Sequence, residues 1–268
     1  MDDKKLILAK AKRIVIKLGS RILIDGDNKG VNLRFVEKLA ESVARLKKTG
    51  KEIVIVSSGA VGCGMVRLGY KAKPENIADK QACAAVGQID LMHAYRDAFE
   101  KDNLSVGQIL LSADDFTKTD RRDNLHNTLE SMLLHGVIPI INENDSVAVA
   151  EIKIGDNDKL SSEVALFWKA DLLILFTDED GLFDSNPKTN PNAHLIEFVP
   201  EITDEILSLA GKAGESGSAV STGGMHSKLE AVAMVVRAGC SAFLANGTKV
   251  LPHEVFEGTK GTLFYFDC

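Results

Sequence analysis

Short runs of apolar, often β-branched residues recur along the chain. Most stop at a glycine or a polar cluster before a helix-like stretch begins. They cover residues 13–20, 51–57, 105–111, 137–141, 172–176, 241–244 and 262–266. Runs of this length bounded by turn residues read as strands buried on both faces. Between them apolar residues repeat at helical spacing. Leu33, Val36, Leu39, Ala40, Val43 and Leu46 form one such stripe, and Gly50 caps it. Further helices are expected over residues 77–101, 125–134, 160–168, 203–209, 223–237 and 252–256. Strand alternating with helix predicts an α/β protein with a mostly parallel central sheet and helices on both faces. No repeat, composition change or linker marks a second domain, so residues 1–268 read as one domain after a lead-in over residues 1–12.

Ligands of such folds collect beyond the carboxyl ends of the strands, which makes the polar residues there informative. Lys17 precedes a glycine turn, and its burial without a partner would be costly. It reads either as an edge lysine in solvent or as a functional group. Ser58 and Gly59 follow the second run, where backbone N–H groups can face an anion. Residues 137–160 hold the densest pattern: an apolar run, then Asn142-Glu143-Asn144-Asp145, an alternating segment, and Gly155-Asp156-Asn157-Asp158. These clusters suit a small polar ligand with a positive group, or they make turns and cap a helix. Ala82, Ala84, Ala85 and Gly87 would let a helix pack closely. The charged residues 112–123 read as a mobile exposed loop, and the Gly/Ser-rich residues 212–222 as flexible.

Composition removes several classes. A formal charge of −6 without a basic stripe argues against a nucleic-acid protein. No apolar run approaches the ~20 residues of a membrane span, and the acidic start lacks the pattern of a signal peptide. Cys63, Cys83, Cys240 and Cys268 show no C-x-x-C spacing, and the histidines do not cluster with them. A cytoplasmic protein with no metal site of its own is expected.

Two lysines, two glycine turns and a helix N-terminus form a set that can hold phosphates. Phosphoryl transfer depends on positive charge around the moving group and on alignment. Neither G-x-x-x-x-G-K-[ST] nor G-x-G-x-x-G is present, so a different cradle is needed. The segments Ile16-Lys17-Leu18-Gly19-Ser20, Val56-Ser57-Ser58-Gly59-Ala60-Val61, Ile141-Asn142-Glu143-Asn144-Asp145, Lys153-Ile154-Gly155-Asp156-Asn157-Asp158 and Thr222-Gly223-Gly224-Met225-x-x-Lys228 together resemble the amino acid kinase family. Within it they are similar to the branch acting on L-glutamate.

The resemblance implies ATP-dependent phosphorylation of the γ-carboxylate of glutamate, at the start of proline biosynthesis. It puts Lys17 and Lys228 on the phosphates, with Asp158 holding both lysines in place. Ser58, Asp145 and Asn157 correspond to glutamate-binding positions. Thr177 and Asp178 correspond to nucleotide-binding positions, as do Thr222, Gly223, Gly224, Met225, His226, Ser227 and Lys228. His226 reads as a solvated loop residue or one that touches the nucleotide. Mg²⁺ would travel with ATP and need no cage from the protein. The resemblance further implies a homo-oligomer, proline as feedback inhibitor and glutamyl-phosphate reductase as pathway partner. Many members continue into a PUA domain, whereas this sequence ends at Cys268. Two rivals stand beside this expectation, a related kinase such as acetylglutamate kinase and a non-catalytic amino-acid sensor. Asp145 beside the amine position favours a free ammonium over an acetylated one.

Overall fold

A computed structural model describes residues 2–25, 30–147, 157–209 and 224–265. The strands are β1 (Arg13–Leu18), β2 (Glu52–Ser57), β3 (Val106–Leu111), β4 (Ile138–Glu143), β5 (Leu172–Thr177), β6 (Phe198–Val199), β7 (Ser241–Asn246) and β8 (Thr262–Phe264). Each apolar run of the sequence has become one of them. The chain divides into two compact units, one of residues 1–17 and 158–268, the other of residues 18–157.

In the unit of residues 18–157 the strands lie in the order β3-β4-β2, and both pairings are parallel. β2 and β4 bury nearly every residue, which explains why they are continuous apolar runs and not alternating ones. The helix Leu33–Lys48 packs on β2, Ile77–Glu100 on β3 and Thr119–Leu134 on β4. Asn32 starts the first of these by accepting the Phe35 N–H at 3.1 Å.

The helices Ala60–Leu68 and Ile77–Glu100 of this unit meet at backbone contact distance. A Cβ on Gly64 would lie 1.8 Å from the Cys83 carbonyl oxygen, and one on Gly87 would lie 2.0 Å from that of Ala60. Of the small residues expected to let the long helix pack closely, Gly87 makes the close approach, opposite Ala60 and Gly64; Ala84 is buried, while Ala82 and Ala85 are exposed.

The other unit orders its strands β1-β5-β7-β8-β6. β5 pairs with β7 and β6 with β8 in parallel, whereas β7 and β8 run antiparallel. The helix Met225–Val236 covers β5 and β7. The lead-in forms the helix Asp2–Lys10, with Leu8 buried and Lys4 donating to the Gly261 carbonyl at 3.1 Å.

One local expectation fails. Residues 112–123 are not a loop but the helix Ala113–Thr117 and the first turns of Thr119–Leu134. Asp115 accepts from the Ser112 N–H and hydroxyl at 2.7 and 2.8 Å. Lys118 pairs with Asp114, and Arg121 with Asp115. Charges spaced this way stabilise helical turns with little apolar burial, so no apolar stripe announced them. The alternating segment after Val147 falls within residues 148–156 and the Gly/Ser-rich stretch 212–222 within residues 210–223, both outside the described residues.

Backbone cannot retreat from an added methyl as a flexible side chain can. Gly64→Ala and Gly87→Ala are each expected to cost about 2–3 kcal/mol or more, an overpacking penalty at its upper end. Urea denaturation measures it, and a cost below about 0.5 kcal/mol, the range of a neutral surface change, would contradict the close approach.

Candidate active site

Three charged side chains come together in the unit of residues 1–17 and 158–268. Lys17 stands near the carboxyl end of β1, Asp158 in the first turn of the helix Asn157–Phe167, and Lys228 in the first turn of Met225–Val236. Lys17 Nζ lies 2.5 Å from Asp158 Oδ1 and Lys228 Nζ 3.1 Å from Oδ2. The Ser227 hydroxyl donates to the same Oδ2 at 3.0 Å. Lys17, Asp158 and Lys228 are 6%, 2% and 7% exposed. The reading of Lys17 as an edge lysine in solvent is therefore wrong.

Burial alone would push the Asp158 carboxyl up. The charges and hydrogen bonds of Lys17 and Lys228 outweigh it and hold the group at about 2. Two ammonium groups around one carboxylate leave a net positive charge, placed where a helix N-terminus adds to it. Such a centre attracts phosphate oxygens.

A second polar group gathers in the same unit at the ends of β5 and β7. Thr177 is buried and donates to Asp178 at 3.1 Å. Asn246 donates to the Asp178 carbonyl at 3.0 Å and to Asp180 at 2.8 Å, while Lys249 reaches Asp180 at 2.7 Å. The sequence reading missed Asp180, Asn246 and Lys249, and gave Ser227 only as a nucleotide-binding position, not as a partner of Asp158. Only the rule that ligands gather beyond strand ends could have pointed to Asn246, the last residue of β7. His226 is exposed on the first helical turn, beside Glu230 at 3.4 Å. Gly224 is the N-cap of that helix and Met225 its first residue. Thr222 and Gly223 lie outside the described residues.

In the unit of residues 18–157 the arrangement is different in kind, built mostly of neutral amides. Asn157 Nδ2 donates to the Ser57 carbonyl at 2.6 Å, the Ser58 hydroxyl at 2.9 Å and Asn142 Oδ1 at 2.9 Å. Gly59, with φ 101°, follows Ser58 as the N-cap of the helix Ala60–Leu68, a left-handed turn that glycine makes without strain. Asp145 follows the end of β4, is 9% exposed, and accepts no hydrogen bond among the described residues. Burial and the neighbouring Glu143 raise its carboxyl to about 7, against the opposing pull of Lys73. A buried carboxylate in this position suits an incoming cation.

Among the described residues no helix is long and apolar enough to cross a membrane. No group of three or more His, Cys, Asp or Glu side chains there could hold a metal ion.

Fold and clusters together define a phosphoryl-transfer class, and the sequence comparison gives it a family. Residues 12–246 match the Amino acid kinase family. The chain belongs to that family. It is 48% identical over 260 residues to a Geobacter sulfurreducens protein named glutamate 5-kinase, covering 96% of this chain and 69% of that one. A Clostridium acetobutylicum glutamate 5-kinase is 44% identical, with 98% of each chain covered. Among solved structures, carbamate kinase from Giardia lamblia bound to AMP-PNP shares the fold at TM-score 0.66 and 18% identity, over 97% of this chain and 100% of that one. UMP kinase from Bacillus anthracis does so at 0.63 and 16%, over 96% and 97%.

The two aspartates should respond oppositely to substitution. Asp158→Asn removes the carboxylate that both buried ammonium groups face, an expected loss of about 3–5 kcal/mol at pH 7. A depressed pKa stabilises above the unfolded value, so in urea titrations the deficit should shrink as pH falls through 3.8 toward about 2. Asp145, with its raised pKa, keeps its proton in the native state up to about 7 while the unfolded chain releases it near 3.8. Stability therefore falls as pH rises between those values. Asp145→Asn should raise Tm at pH 8 and leave it unchanged near pH 4; a gain independent of pH would contradict this environment.

Proposed function

We propose that the protein is a glutamate 5-kinase, transferring the γ-phosphoryl group of ATP to the γ-carboxylate of L-glutamate. The products are L-glutamyl 5-phosphate and ADP, and the reaction opens proline biosynthesis. The observation that carries the proposal is the buried Lys17–Asp158–Lys228 cluster. The names of relatives at 44–48% identity support it. The proposal treats residues 1–268 as one amino acid kinase domain.

In this reading a γ-carboxylate oxygen of glutamate attacks the γ-phosphorus. The bond from that phosphorus to the β,γ-bridging oxygen breaks, and its electrons stay on ADP. The acceptor is already ionised near neutral pH, so no side chain has to remove a proton. Lys17 and Lys228 stabilise negative charge on the moving group and the leaving oxygen. Asp158 keeps the two ammonium groups from repelling each other apart. Ser58, Asp145 and Asn157 hold glutamate, and the Asp145 carboxylate pairs with its α-ammonium. Thr177, Asp178 and the segment Thr222, Gly223, Gly224, Met225, His226, Ser227 and Lys228 hold the nucleotide.

Asp158 is committed to Lys17, Lys228 and Ser227 and has little left to give a metal ion. Mg²⁺ therefore fits as a group carried on the ATP phosphates, where it supplies further positive charge. The proposal extends to a cytoplasmic homo-oligomer, inhibited by proline and passing its product to glutamyl-phosphate reductase. Between glutamate and acetylglutamate, the buried Asp145 carboxylate favours the free amine, because an acetamide would leave it unpaired.

An ADP-release assay with the two substrates in parallel is the test. Turnover with glutamate is expected, and turnover with acetylglutamate alone would overturn the reading. Lys228→Ala should lower kcat by about 10²–10³-fold, as when one transition-state donor is lost; unchanged kcat would remove Lys228 from its role.

A further inference from the structure

Gln88 sits on the helix Ile77–Glu100 with only 8% of its surface exposed, and none of the roles above uses it. Its side chain ends a series of three buried amides. Asn157 Nδ2 donates to Asn142 Oδ1 at 2.9 Å, and Asn142 Nδ2 donates to Gln88 Oε1 at 2.9 Å. Amide nitrogen and oxygen are told apart by their partners, and here two backbone groups decide. The Glu143 N–H lies 2.9 Å from Asn142 Oδ1, so oxygen must be there. The Ser57 carbonyl lies 2.6 Å from Asn157 Nδ2, so nitrogen must be there. Asn142 must then turn its nitrogen to Gln88, and Gln88 must answer with oxygen.

This fixed direction decides what Asn157 can offer a ligand. Its amino group carries two hydrogens and already faces three acceptors, the Ser57 carbonyl, the Ser58 hydroxyl and Asn142 Oδ1. What remains is Oδ1, buried and without a hydrogen bond among the described residues. A lone buried acceptor is unfavourable by about 1–3 kcal/mol. An ammonium group, all donor and no acceptor, is its natural complement.

We propose that Gln88 is a positioning residue for amino-acid recognition. Through Asn142 it holds Asn157 with its carbonyl oxygen presented to the α-ammonium of the substrate, beside the countercharge of Asp145. The inference rests on the assignment of Asn157 and Asp145 to glutamate. Without the Gln88 oxygen, Asn142 Nδ2 would be buried and unpaired. Rotation of Asn142 relieves that, but it takes away the acceptor that fixes Asn157.

Calorimetric titration of the full chain with L-glutamate and with glutarate, which has both carboxylates and no ammonium, tests this. Gln88→Leu is expected to weaken glutamate binding about tenfold and glutarate binding by no more than about twofold, the loss of one charge-assisted hydrogen bond. Gln88→Glu retains an acceptor for Asn142 and should restore most of the glutamate affinity. Equal weakening of both ligands would reduce Gln88 to a packing role and overturn the proposal. Gln88→Glu as weak as Gln88→Leu would overturn it too, because Gln88 Nε2, buried and without a hydrogen bond among the described residues, would then be the group that matters. Should Gln88→Leu not fold, Gln88→Met gives the same comparison. The kinase reading fails separately, if the wild-type chain binds glutamate yet releases no ADP.

Discussion

A carboxylate buried to 2% exposure between two lysines is the constraint on which the candidate phosphate site depends. Removing three charged groups from water is expensive, and their mutual attraction does little more than offset that expense. Apolar side chains of similar size would hold Lys17, Asp158 and Lys228's positions at least as well. The cluster therefore makes sense as a means of keeping positive charge fixed in a place water would otherwise screen. Each member comes from a separate element: the end of a buried strand and the first turns of two helices. The strand lysine can reach this point because its stem packs along apolar surface while its head lies at the strand end.

The architecture was legible in the sequence because its central strands are covered on both sides. Such strands appear as continuous apolar runs, and the helices between them carry clear stripes, as at Phe35, Val36, Leu39 and Val43. Where local charge pairing replaced burial, the pattern failed. The turns over residues 112–123 are held by Asp114, Asp115, Lys118 and Arg121, which in sequence look like a loop. The site was legible only as separate motifs. Whether Lys17 was solvated or buried depended on residues more than a hundred positions away, and no window of local sequence contains them. Gln88 shows the limit most clearly. It occupies an ordinary position in a long helix, and its meaning comes from Asn142, which the fold brings to 2.9 Å.

Asp145 and Asp158 are both buried aspartates, and their surroundings drive them in opposite directions. Asp158 meets two ammonium groups and is held at about 2. Asp145 is buried with another acid, Glu143, acting on it, and the smaller opposing pull of Lys73 leaves its carboxyl at about 7. The first has its counter-ions built into the protein. The second lacks one of comparable strength, and a ligand's ammonium would supply it. In the proposed function, binding such a ligand would draw the proton from Asp145 and so couple recognition to ionisation at this residue.

The neighbouring amides complement that arrangement because they are neutral. A lysine or arginine holding Asn157 in place would meet the incoming ammonium with like charge. Gln88 and Asn142 carry direction without charge: each amide passes a donor forward and leaves an acceptor behind. Their orientation is anchored by the Ser57 carbonyl and the Glu143 N–H, which cannot exchange roles. Asn157 and Asp158, adjacent in the chain, thus end two different kinds of network. In the proposed function the amide network would set the geometry of recognition, and the ionic one would concentrate charge for transfer. Mixing the two would weaken both, since a charge that orients a ligand through attraction also draws on the charges meant for the phosphates.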